Sequence, residues 1–140
     1  VRSALRAVLL LVVAAALVVP FARGRGGAGE VAPSAVDGAM SRAKVVVTYF
    51  TTDVRCVSCR TIEALTKRAV EEGFADELAR GELLFRVVNT SQPANAHFVD
   101  HYAITNKTVV VSRQRDGVEQ EWSRCGEIWT LFREPERFLV

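Results

Sequence analysis

Two cysteines three positions apart stand in the run Arg55-Cys56-Val57-Ser58-Cys59-Arg60. Ile62, Leu65, Ala69 and Val70 follow at helical spacing, so the pair falls at the start of a predicted helix. Side chains at that spacing lie about one turn apart, and their sulfurs can close a small disulfide ring without unwinding the helix. The first sulfur, on Cys56, lies over the unpaired amides and partial positive charge of the helix N-terminus. That setting favours the thiolate, which is the species that attacks a disulfide. Arg55 and Arg60 add positive charge on either side. The second sulfur, on Cys59, sits one turn in and is less accessible, which suits the step that resolves a mixed disulfide.

The same residues allow plainer chemistry. A static structural disulfide is one alternative, natural in an oxidising compartment. Half of a metal site is another: His97 and His101 share a helix face at i,i+4, and Cys125 is spare. The 37 residues between Cys59 and His97 match no short zinc-module spacing. Arg60, not histidine, follows Cys59, which excludes covalent haem attachment. No metal and no cofactor are expected beyond a redox-active Cys56–Cys59 disulfide. Cys125 reads as a small buried hydrophobe, with a role as third redox partner open if its loop lies beside the pair. Trp122 and Trp129 read as core, and Arg124 and Arg133 as solvated.

The elements that must hold this site begin at Lys44. Val45 to Phe50 is a β-branched and aromatic run, apolar enough for a central strand, and Thr51 to Cys56 is a polar turn. The helix after the cysteines pairs Glu63 with Lys67 on its wet side and ends at Gly73 as a left-handed cap does. A short helical piece over Ala75–Arg80, a strand over Leu83–Val88 and a helix over Ala94–Tyr102 follow. Strands over Thr108–Ser112 and Val118–Trp122 flank Gln114-Arg115-Asp116-Gly117, where Asp-Gly is a hairpin signal. Glu127–Phe132 has helical character, and Pro135 suits the first position of a last helix. Phe138-Leu139-Val140 reads as the exposed apolar end of a truncated helix. The predicted fold class is α/β, a mixed four-stranded sheet in the order β-α-β-α-β-β-α with an antiparallel edge.

With the cysteines at the start of the first helix, residues 44–126 resemble the thioredoxin-like superfamily, without its leading strand and helix. Phe85-Arg86-Val87-Val88-Asn89-Thr90 resembles the strand leading to its second half, and Tyr102-Ala103-Ile104 looks like its Tyr-Gly-Ile/Val. More narrowly, Tyr49-Phe50 followed by Arg-Cys-x-x-Cys-x-x-Ile-Glu is similar to a small bacterial exported family described as a nitrophenyl-compound nitroreductase subunit. The resemblance implies a thiol–disulfide oxidoreductase with Cys56 attacking and Cys59 resolving. Its substrate would be a protein disulfide or dithiol, with a larger reductase complex as a further partner. Non-catalytic accessory-subunit and metal-carrier readings stand beside it. Two positions depart from the superfamily. Asn106-Lys107-Thr108 replaces a cis-proline, and without proline a cis bond costs ~3 kcal/mol, so a trans peptide is expected there. Thr48 stands where the superfamily often has a buried acid, and the resemblance then leaves Asp53 or Glu63 to relay protons instead. Lys107 and Thr108 are therefore auxiliary candidates, with Arg55, Arg60, Asp53 and Cys125.

The chain has 140 residues, 49% hydrophobic and 24% charged, with three cysteines, which fits one ordinary domain and no disulfide-dense scaffold. Residues 1–43 carry five arginines against Glu30 and Asp37, a net +3; the remaining 97 carry 13 basic and 14 acidic residues, a net −1. A nucleic-acid partner is excluded on that ground, because phosphate binding needs its positive charge on the folded part. Ala7–Ala22 is an uncharged apolar run between Arg2, Arg6 and Arg23, Arg25. Residues 1–23 read as a signal-anchor, or as a signal peptide with a poor cleavage site, and no polar face supports a buried soluble helix. At about 24 Å the run is short of a hydrocarbon core, a gap that snorkelling arginines close. The expected orientation puts the domain outside the cytoplasm, membrane-anchored through residues 7–22, or secreted or periplasmic after cleavage. Residues 24–43, rich in glycine, read as a flexible linker, and residues 44–140 as the domain.

Overall fold

Seven consecutive buried residues, Val45–Thr51, make the central strand β1, because β-branched and aromatic side chains pack well on both faces of a covered sheet. A computed structural model describes residues 35–139. On one side β1 pairs in parallel with β2 (Leu83–Asn89), and on the other antiparallel with β3 (Thr108–Arg115). β3 pairs antiparallel with β4 (Val118–Cys125), giving the sheet order β2-β1-β3-β4. This is the expected mixed four-stranded sheet with an antiparallel edge.

The helices are α1 (Ala35–Arg42), α2 (Val57–Gly73), α3 (Ala75–Ala79), α4 (His97–His101), α5 (Ile128–Leu131) and α6 (Pro135–Phe138). One sheet face carries Val45, Val47, Tyr49, Val109 and Val111 against Ile62, Leu65 and Val70 of α2, together with Phe74, Ile128 and Phe138. The other face carries Phe50, Val88 and Val110 against Tyr102, Phe98 and Ile104. Alternation along β1 sends its odd-numbered residues to α2 and its even-numbered ones to α4.

Several expectations change in detail. Within the stretch read as a linker, Ala35–Arg42 is helical, and Ala43 is buried. Gly73 ends α2 without a left-handed conformation; Phe74 (φ −141°) makes the corner and buries its ring in the core. The helix expected over Ala94–Tyr102 is split into a 3₁₀ turn at Pro93–Asn95 and the short α4, closed by Ala103 at φ 48°. The hairpin strands run longer than predicted. Asp116 (φ 53°) and Gly117 (φ 77°) alone form the turn, and a bulge at Arg113/Gln114 absorbs the extra residue. Phe138 is buried, not exposed, because α6 folds its ring back onto the α2 face. Trp122 is 39% exposed on β4 and so is not core. Among the described residues no helix is long and apolar enough to cross a membrane, and the run 7–22 lies outside them.

Candidate redox site

The chain leaves β1 at Thr51 and enters α2 at Cys56, whose extended backbone (φ −71°, ψ 166°) makes it the helix N-cap. Its Sγ accepts the N–H of Cys59 at 3.2 Å, the bond that a serine or aspartate oxygen usually makes at that position. The carbonyl of Cys56 accepts the N–H of Arg60 at 3.1 Å, the first intrahelical bond. Cys56 and Cys59 are joined by a disulfide, with Cα atoms 5.0 Å apart. Cys56 is exposed and Cys59 is 1% exposed. The two sulfurs therefore differ in access as their places on a helix start require.

Beneath the pair lies Tyr49, part of the resembling motif but not among the expected site residues. The Tyr49 hydroxyl donates to the Cys59 carbonyl at 2.9 Å from inside the core. Burial pushes its phenol pKa up, Glu63 adds to that and Arg55 opposes it. The signal was present as parity, since Tyr49 shares its face with Val45 and Val47. Thr48 shows the converse: it points to the opposite face, where its hydroxyl accepts Arg86 Nε at 2.9 Å.

The other predicted residues divide. Arg55 is ion-paired with Glu63, so its charge is already matched and Glu63 is no free relay. Arg60 donates to the Arg55 carbonyl at 3.3 Å and, among the described residues, forms no ion pair with a carboxylate. Asp53 accepts Asn89 Nδ2 at 2.7 Å and takes Ser91 Oγ on its own N–H at 3.2 Å, which ties the approach loop to the end of β2. Lys107 and Thr108 lie at the same end of the sheet, because Thr108 registers with Phe50. The Lys107 carbonyl accepts Trp129 Nε1 at 2.7 Å, and no cis peptide occurs among the described residues. Cys125 belongs to the cross-strand row Tyr49–Val109–Cys125, two strands from the site strand, and packs on the α2-side core. Burial raises its thiol pKa. Val54 and Val57, on either side of Cys56, are 71% and 73% exposed.

His97 and His101 are both exposed, and His101 Nε2 lies 2.8 Å from Glu119 Oε1. Among the described residues no three His, Cys, Asp or Glu side chains gather as a metal-ligand set.

No protein-family model and no curated protein matches the chain, so the narrower likeness to a nitroreductase subunit stands on its motif alone. Among solved structures the chain is similar to oxidised thioredoxin from Plasmodium falciparum, at 15% identity and TM-score 0.43 over 78% of this chain and 94% of that one. It is similar to thioredoxin O2 from Arabidopsis thaliana in the oxidised state, at 15% identity and TM-score 0.45, covering 75% and 87%. Thioredoxin from Trypanosoma brucei brucei gives 21% identity and TM-score 0.44, covering 73% and 80%.

Proposed function

We propose that this chain is a thiol–disulfide oxidoreductase with a thioredoxin-like site, Cys56 attacking and Cys59 resolving. One observation carries the reading: the exposed sulfur of a disulfide is also the N-cap acceptor of a 17-residue helix, while its partner is buried. In the reduced protein, the Cys59 amide and the helix N-terminus lower the energy of a Cys56 thiolate. That thiolate attacks a substrate disulfide, forms the mixed disulfide and releases one substrate thiolate, which takes up a proton. Cys59 then loses its proton and attacks Cys56 Sγ, and the second substrate sulfur leaves. Two electrons pass from the Cys56–Cys59 dithiol to the substrate, and no cofactor takes part. Exposed Val54 and Val57 offer apolar contact beside the reacting sulfur.

The apolar run 7–22 between its arginines supports the further proposal of a domain held at a membrane and facing outside the cytoplasm. A second reading is an accessory subunit of a larger reductase, favoured by Asn106-Lys107-Thr108 where the superfamily docks substrates on proline. Insulin reduction by the detergent-solubilised full chain, with dithiothreitol as reductant, separates the two. Cys56→Ser abolishes turnover and Cys59→Ser accumulates the mixed disulfide if the first reading holds. A rate unchanged by Cys56→Ser refutes it, and co-purification with a larger partner regardless of both substitutions supports the second.

A further inference from the structure

One strand away from the disulfide, at the same end of the sheet, a cavity of about 560 Å3 opens among Asn106, Lys107, Thr108, Trp122, Arg124 and Trp129. Its place follows from register. Lys107 leads into β3, where Val109 faces Tyr49 on one side and Cys125 on the other, and Arg124 immediately precedes Cys125. The recess thus borders the row that ends beneath Cys59.

Two of its walls are cations and none is a carboxylate. Two other cations beside the sheet do face acids: Lys44 meets Glu82 at 2.7 Å and Arg113 meets Glu121 at 2.9 Å. Neither Lys107 nor Arg124 pairs with a carboxylate among the described residues. Arg124 Nη1 donates to the Ala103 carbonyl at 2.6 Å, and Trp129 Nε1 holds the Lys107 carbonyl at 2.7 Å. The Arg124 and Trp129 side chains are therefore tied to the 103–107 loop before any ligand arrives, which lowers the cost of ordering them on binding. Trp122 carries the wall out to the exposed side of β4 as an apolar ledge, which an inorganic anion would leave uncovered.

We propose that this cavity receives an acidic segment of the polypeptide that carries the substrate disulfide, its carboxylates meeting Lys107 and Arg124 and its apolar side chains lying on Trp122 and Trp129. The inference rests on the oxidoreductase reading of Cys56 and adds to it the chemical class of the partner. Charge matching of this kind sets partner choice and encounter rate more than raw affinity.

Two peptides of equal length test it, one with Asp and Glu flanking the central pair and one with Lys. Serine replaces the cysteines in both, so that calorimetry on the oxidised full chain reads only non-covalent affinity. The acidic peptide binds more tightly, and added salt weakens it. Lys107→Gln and Arg124→Gln each lower its affinity about twofold to fivefold, the range for single exposed charge pairs. Arg115→Gln, on the exposed hairpin tip, changes nothing. Equal affinity for the two peptides overturns the proposal. So does indifference to both substitutions, or equally tight competition by oxidised glutathione, a small anionic disulfide. Cysteine-containing versions of the peptides report turnover separately. Selective binding without turnover upholds the acidic partner and removes the oxidoreductase reading; turnover without charge preference does the reverse.

Discussion

The Tyr49 hydroxyl and the Cys59 carbonyl, 2.9 Å apart in the core, join the central strand to the first turn of the helix that carries the disulfide. Burial holds the phenol above its ordinary pKa, so the group stays a neutral donor throughout the range in which thiols exchange. Tyr49→Phe removes this bond and leaves the ring. The Cys59 carbonyl remains inside a helix, so the expected loss is about 0.5–1.5 kcal/mol, the ordinary contribution of one internal hydrogen bond. Denaturant unfolding of the oxidised chain reads it as a lower midpoint at constant slope. An unchanged midpoint would show that packing alone places α2 on β1.

Phe138 supplies a second test, because its ring is 1% exposed although it stands near the chain end. It joins the cluster of Ile62, Val70 and Ile128 on the α2 face. Phe138→Ala is expected to cost about 3 kcal/mol, the lower end for truncating a buried aromatic. A loss below 1 kcal/mol, measured the same way, would mean that α6 frays and adds little.

The site was legible where short-range rules decide it. The N-cap position of Cys56, the helix behind it and the mixed sheet follow from two periodicities and a cysteine spacing. What was not legible depends on contacts distant in sequence. Phe138 reads as an exposed end until the α2 face that receives it is in place, and Gly73 reads as a left-handed cap until Phe74 finds the core. Arg55 looks like a charge free to activate Cys56, yet Glu63, two turns into α2, already holds it. Tyr49 was within reach, since strand parity puts it under the helix, but only register and hydroxyl geometry show that it meets Cys59.

Ala103 and Gly81 form a matched pair. Ala103 has φ 48° without being glycine, at the place where the resembling motif carries glycine, and its carbonyl is held by Arg124. Gly81 has φ 68°, and a Cβ built there meets nothing within 4 Å. Left-handed backbone costs a residue with a side chain about 1–2 kcal/mol, against roughly 0.5–1 kcal/mol for the chain entropy of glycine. Ala103→Gly should therefore stabilise by up to about 1 kcal/mol, and Gly81→Ala should destabilise by a similar amount for conformational reasons alone. Thermal midpoints moving in the same direction for both would contradict this.

Cys125 is the last test, and its sign follows from burial. Desolvation disfavours its thiolate and Glu127 adds to that, so the thiol titrates above the ordinary cysteine range. At neutral pH it is a poor nucleophile towards the Cys56–Cys59 disulfide, although it shares a cross-strand row with Tyr49. Iodoacetamide labelling of the oxidised native chain, followed by mass spectrometry, should be slower at pH 8 than labelling of the same cysteine in denaturant. Its rate should climb only at more alkaline pH. Because the folded pKa is raised, the matching stability is fully present below the unfolded value and fades as pH rises through the folded one. Cys125→Ala, whatever packing it loses, should therefore remove that alkaline decline. Labelling as fast in the native as in the unfolded chain would put the sulfur in water, and would make a third redox partner of it after all.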